Sequence, residues 1–150
     1  MEISVKVFWL AMLTAVFWGL APVFDKLGLG KATPLAALSI RTITVVIGLG
    51  IFLLASGGWR ELHTLDTRST VYLMLGGLAA GFIGQLVYYH ALKLGEVVRV
   101  VPLAATYPLI AALLAIIFIK EPFTPGKIIG VILIVLGVLA IRIDQILWPR

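Results

Sequence analysis

Side chains able to do chemistry are sparse in this chain, and those present fall in or beside long apolar runs. Asp25 stands near the end of the first run. Arg41 lies about seven residues into the second, roughly 10 Å along a helix rising 1.5 Å per residue. A charge at that depth is costly and faces an interior, a partner or water. Arg41 therefore has two readings: it pairs with Asp25, or its stem is buried while the head snorkels to the membrane surface. A pair would either hold two helices in register or help to hold a ligand. Trp18, Pro22 and Asp25, at offsets of four and seven, return to one helix face. Pro22 has no N–H for the Trp18 carbonyl, which leaves a kink and a free acceptor beside an indole, serving packing alone or a midplane site.

The stretch Gln85 to Pro102 is the chain's main polar interruption. Gln85 falls near mid-membrane on the face of Gly77 and Gly81, and an unpaired amide in hydrocarbon is expensive, so it should look into a bundle. Tyr88 or Tyr89 either lines a cavity or joins an interfacial aromatic belt. The expected cavity set is Gln85 and Tyr88 facing Arg41 and Trp18, with Tyr107 further along. His90 either relays protons or is solvated at an interface. Lys93, Glu96 and Arg99 frame a turn at Gly95, and with Asp25, Lys26 and His90 they form a candidate polar vestibule and gate on one membrane face. Pro102 and Pro108 interrupt the fourth apolar run, with Thr106 and Tyr107 between them.

What positions these groups is a very apolar chain. Its 150 residues are 61% hydrophobic and 13% charged, with mean hydropathy +1.12, against about 45–50% apolar and about 25% charged in soluble domains. This is an all-α membrane protein, with room for several spans but for no separate soluble domain. The absence of cysteine excludes thiolate chemistry, disulfides and Cys-based metal sites. No phosphate-cradling glycine loop, metal-ligand spacing, paired intramembrane acids or Ser-His-Asp constellation is present, so neither an enzyme nor a metal or cofactor is expected. The net charge of +5 is spread over segment ends, which suits anchoring to lipid head groups and gives no support to nucleic-acid binding.

Five spans are expected, over about 7–29, 34–54, 71–94, 98–119 and 127–143, as one transmembrane domain. The first run is too long for a secretory h-region of about 7–15 residues, and it ends in Asp25-Lys26 without a small-x-small cleavage site. Trp9, Trp59, Tyr72 and Trp148 suit an aromatic belt. Gly77 with Gly81, and Gly76 with Ala80 and Gly84, are spaced for close helix packing or a dimer contact. An odd number of spans puts the termini on opposite sides. The N-terminal side then carries five Lys or Arg and the other side six, or seven with Arg41, which gives almost no orientation bias.

Phe17-Trp18-Gly19-Leu20-Ala21-Pro22-Val23-Phe24-Asp25-Lys26, then Arg41, then Tyr89-His90-Ala91-Leu92-Lys93-Leu94-Gly95-Glu96 with Pro102, and Glu121-Pro122-Phe123-Thr124 followed by the Gly130 to Leu139 run, resemble one EamA repeat of the drug/metabolite transporter superfamily. The resemblance covers nearly the whole chain. Commoner members resemble two such repeats fused in inverted orientation, so a working unit here implies a second copy, a homodimer that the weak charge bias allows to be antiparallel. It further implies alternating-access transport of a small solute in a prokaryotic inner or plasma membrane, with the first four helices lining the cavity. The small multidrug relatives use a Glu within the first helix, where this chain has no acid before Asp25; Arg41, Trp18 and Tyr88 suit an anionic or zwitterionic substrate better. Two alternatives stand beside this one: a flippase for a phosphate-bearing lipid, and a non-transporting membrane subunit that needs a partner.

Overall fold

The computed structural model describes residues 5–120, 122 and 124–147, with the backbone alone at 141, 142 and 144–147. The belt residue Trp148, the cations of Arg142 and Arg150, and Glu121 and Phe123 of the connecting motif lie outside the described residues. Every regular element among the described residues is helical. Four helices are long and apolar enough to cross a membrane, Val5–Gly28, Pro34–Ser56, Thr67–Leu94 and Val97–Ile119, and a shorter apolar helix covers Pro125–Ala140. The protein is a multi-pass, all-α membrane protein of five helices. It divides into two compact units, Met1–Leu94 and Gly95–Arg150.

In the first unit, α1 (Val5–Gly28) runs without interruption through Pro22, so the proline does not divide it. The turn that follows is short because both of its ends are satisfied locally. The Leu29 amide donates to the Asp25 carbonyl at 2.9 Å, and the Thr33 side chain caps α2 (Pro34–Ser56) by accepting from the Ala36 amide at 3.2 Å, with Pro34 at the first helical position. Gly57, at φ 70°, ends α2 in the left-handed conformation that costs glycine nothing. A short 3₁₀ helix (Gly58–Thr64) follows. Asp66 then caps α3 (Thr67–Gly76) by accepting from the Ser69 amide at 3.1 Å.

The third span is not one α-helix. After α3 comes a π-helical segment, Gly77–Gly84, and then α4 (Gln85–Leu94). Within the segment the Gln85 amide donates to the Ala80 carbonyl, five residues back instead of four. A Cβ on Gly84 would lie 2.9 Å from the Ala79 carbonyl oxygen, also five residues back, so the wide turn needs glycine there. By contrast, a Cβ at Gly76, Gly77 or Gly81 would meet nothing within 4 Å. Among the described residues of this unit, the spacing read from the sequence as helix packing thus has no close neighbour at Gly76, Gly77 or Gly81.

In the second unit, α5 (Val97–Ala104) and α6 (Tyr107–Leu114) are separated at Ala105-Thr106. Pro108 offers no N–H to the Ala104 carbonyl, and the Thr106 hydroxyl donates to the Leu103 carbonyl at 2.7 Å across the break. A second π turn, Ala115–Ile119, precedes α7 (Pro125–Leu147). Lys120 ends that turn at φ 59°, the one positive φ at a non-glycine among the described residues.

Surface and interior are reversed relative to a soluble protein. Among the described residues most large apolar side chains are exposed, and the buried apolar ones are few: Pro22, Leu29, Leu38, Tyr89 and Leu92. Hydrocarbon is as apolar as leucine and exerts no hydrophobic pressure between helices, so these exposed faces are what a lipid-solvated chain requires. Polar side chains on them look after themselves: the hydroxyls of Thr14, Ser39, Thr44 and Ser56 each donate to the carbonyl four residues back.

Candidate functional site

The buried residues of the first unit surround its polar centre. Asp25 is in the last turn of α1, Arg41 in the third turn of α2 and Tyr89 in the middle of α4. The tight connection around Leu29 to Thr33 brings the first two together, and the phase of α4 delivers the third. Arg41 Nη1 donates to Asp25 Oδ2 at 3.0 Å and to the Tyr89 hydroxyl at 3.3 Å. The hydroxyl in turn donates to Asp25 Oδ1 at 2.7 Å. Three spans are thereby closed into one ring of charge-assisted hydrogen bonds, in which each group satisfies the other two.

Exposure is graded across this ring. Tyr89 is 1% exposed, the Asp25 side chain 15% and the Arg41 side chain 41%. The carboxylate is held inside and the guanidinium closes the open edge. Both of its bonds use Nη1, so among the described residues Nε and Nη2 keep their N–H groups for another acceptor. That remaining edge has the planar fork geometry suited to a carboxylate or phosphate.

Two lysines tie the same end of the unit. Lys26 Nζ donates to the Leu92 carbonyl at 2.6 Å and Lys93 Nζ to the Ala32 carbonyl at 2.6 Å. Leu92 is in the last turn of α4, where carbonyls have no intrahelical partner, so Lys26 neutralises a helix end as well as linking α1 to α4.

The structure brings Asp25 and Arg41 together as a pair, while Lys26 donates to the Leu92 carbonyl. It does not bring Trp18 to them: that indole is 65% exposed. Gln85 and Tyr88 are half-buried on α4, but the bonding partner is Tyr89, which the sequence reading left as a cavity or belt residue. His90 is exposed, with Nδ1 2.8 Å from the Leu86 carbonyl of its own helix. Glu96, Arg99, Tyr107, Pro102 and Pro108 belong to the second unit. There Arg99 Nε pairs with Glu96 Oε2 at 3.1 Å, three residues apart on an exposed surface. A groove of about 300 Å³ in that unit is lined by Pro108, Ala112, Ile116, Gly130 and Ile134, with Lys127 donating to the Pro122 carbonyl at 2.9 Å.

Comparison with known proteins agrees with this architecture. The EamA-like transporter family matches residues 5–143. The chain belongs to that family. Among similar proteins, an uncharacterized transporter of Sinorhizobium in the cobO 3' region is 32% identical over 91% of this chain and 95% of its own length. An uncharacterized protein of Methanocaldococcus jannaschii is 29% identical over 91% of this chain and 96% of its own. An uncharacterized transporter of Archaeoglobus fulgidus is 31% identical over 89% of this chain, which there spans 46% of the relative. No solved structure matches the chain. EamA membership and the apolar helices make this an integral, multi-pass membrane transporter.

Proposed function

We propose that the chain exports a small anionic or zwitterionic metabolite by alternating access, as a homodimer in a prokaryotic inner membrane, with the Asp25–Arg41–Tyr89 ring as its gate. The observation that carries this reading is the unused edge of Arg41. A substrate carboxylate or phosphate that takes that edge competes with Asp25 for the guanidinium, and loosening this pair removes the charged link between α1 and α2, leaving the Tyr89 and Lys26 bonds to α4. Gating of this kind converts substrate binding into a change of helix packing.

A second copy is supported by relative lengths: the chain matches two proteins end to end and about half of a third. The near-equal charge on the two membrane sides permits insertion both ways, and hence an antiparallel pair. Open space beside Gly77 and Gly81 leaves room for another backbone. The flippase reading has one observation in its favour: Lys26, Arg41 and Lys93 gather at one end of the first unit, as a lipid phosphate would require.

Proteoliposomes holding the purified protein test the reading with a panel of amino acids, organic anions and drugs. Counterflow of an anionic or zwitterionic solute, abolished by Arg41→Ala, is expected. Movement of none of the panel sinks it, and Arg41-dependent translocation of a polyprenyl phosphate shifts it to lipid. Cysteine introduced at either terminus, labelled from both faces of intact cells, reports the pairing; a single pattern retires the antiparallel dimer.

A further inference from the structure

A regular α-helix from Gly77 onward repeats every 3.6 residues, so each residue turns about 100° from the last. A π-type insertion holds one more residue than the α-helix it replaces, and everything after it lags by about one residue, again about 100°. The Gly77–Gly84 segment stands directly before α4. Tyr89 therefore occupies the direction that Tyr88 would take if the span were α-helical throughout. The two tyrosines are neighbours with ring centroids 6.2 Å apart; Tyr89 is buried on Asp25 and Arg41, and Tyr88 is half-buried.

We propose that the π segment is a phase-setting insert, and that Gly84 is a positioning residue which selects Tyr89 over Tyr88 for the Asp25–Arg41 pair. Gly84 is singled out by chemistry. A Cβ there would lie 2.9 Å from the Ala79 carbonyl oxygen, closer than a methyl tolerates, whereas Gly76, Gly77 and Gly81 have open space where a Cβ would go. A methyl at 84 penalises the π turn and leaves the α-helical alternative unobstructed. In that alternative α4 advances by one residue, and Tyr88 meets the ion pair. The proposal deepens the gate reading, on which its meaning for transport rests.

The test is a crosslink, made simple by a chain with no native cysteine. Asp25→Cys is combined with Tyr88→Cys, Tyr89→Cys or His90→Cys in the full-length protein in membranes, and crosslinking by a short bifunctional thiol reagent, whose spacer replaces the reach of the lost phenol ring, is compared. Position 89 is expected to crosslink faster than its neighbours, because thiols pointing apart are not spanned by a short linker. Gly84→Ala is expected to move the preference to position 88. Deleting Ala80 removes the extra residue, straightens the helix and keeps the preference at the original position 89. Deletion from an ordinary α-helix would instead turn the downstream face by about 100° and bring position 90 to the thiol at position 25. Preference that stays at 89 in Gly84→Ala, or moves to 90 on deletion, overturns the proposal. If Gly84→Ala does not fold, the deletion decides alone. Pairing reads geometry without transport, so a silent transport assay leaves this inference standing, and a failed crosslink leaves the transport reading standing.

Discussion

The Tyr89 hydroxyl donates to Asp25 Oδ1 at 2.7 Å across 64 residues of chain, from a ring that is the most deeply buried aromatic of the first unit. Tyr89→Phe keeps the packing of that ring and removes one donor and one acceptor. A loss of about 1–3 kcal/mol is expected, the cost of leaving a buried charged group short of a hydrogen bond. Thermal unfolding in mild detergent measures it, and Tyr88→Phe, which breaks no hydrogen bond to Asp25, serves as the comparison.

Asp25 and Arg41 should behave as a coupled pair. Arg41→Ala leaves a mostly buried carboxylate with Tyr89 as its donor, and Asp25→Ala leaves a half-exposed cation that water can reach. The first should therefore be the more damaging. The double variant should cost less than the sum of the singles by about 0.5–3 kcal/mol. Additive effects in a double-mutant cycle of melting temperatures would show that the pair is not coupled.

Asp66 responds to pH in a predictable direction. Its carboxylate accepts from the Ser69 side chain and amide, which hold its pKa below the ordinary value. A folded value depressed in this way contributes stability that is present above the unfolded pKa of about 3.9 and is lost as pH falls through the folded value. Protection of the Ser69 amide from hydrogen exchange should weaken below about pH 4. In Asp66→Asn, which still caps but does not titrate, the pH dependence should vanish.

Two left-handed positions give opposite expectations. Gly57→Ala puts a Cβ at φ 70° and should destabilise the end of α2 by about 1–2 kcal/mol. Lys120→Gly relieves the same penalty at φ 59°, but it also loosens the unfolded chain by about 0.4–1 kcal/mol, so a small net gain is expected. Denaturation midpoints of the two variants should move in opposite directions.

Much of the fold was legible without coordinates. Long apolar runs admit only spanning helices when water is absent, and Thr33-Pro34, Gly57 and the two prolines around Thr106 mark ends and breaks by local chemistry. The Asp25–Arg41 pair was one of two readings open from the sequence, beside a snorkelling Arg41, because an arginine about 10 Å into hydrocarbon needs a partner or water and one acid stood near. Trp18 was expected at the cavity from its spacing to Asp25, but spacing on one helix says nothing of what stands opposite. Its indole is on an exposed face.

The choice of tyrosine shows the boundary most clearly. Tyr88, three residues past Gln85, follows from an α-helical repeat, and Tyr89 follows from the same helix with one extra residue inserted before it. Four glycines between Gly76 and Gly84 hint at irregular backbone. Which carbonyl each amide selects, four or five residues back, depends on the buried contacts that the resulting phase can make. Composition and local chemistry settle that this chain lies in a membrane as five helices; that Arg41 pairs with Asp25 is read from the packed helices. The identity of the third partner required the helices to be packed, because rotation of a helix about its axis is decided by what it meets.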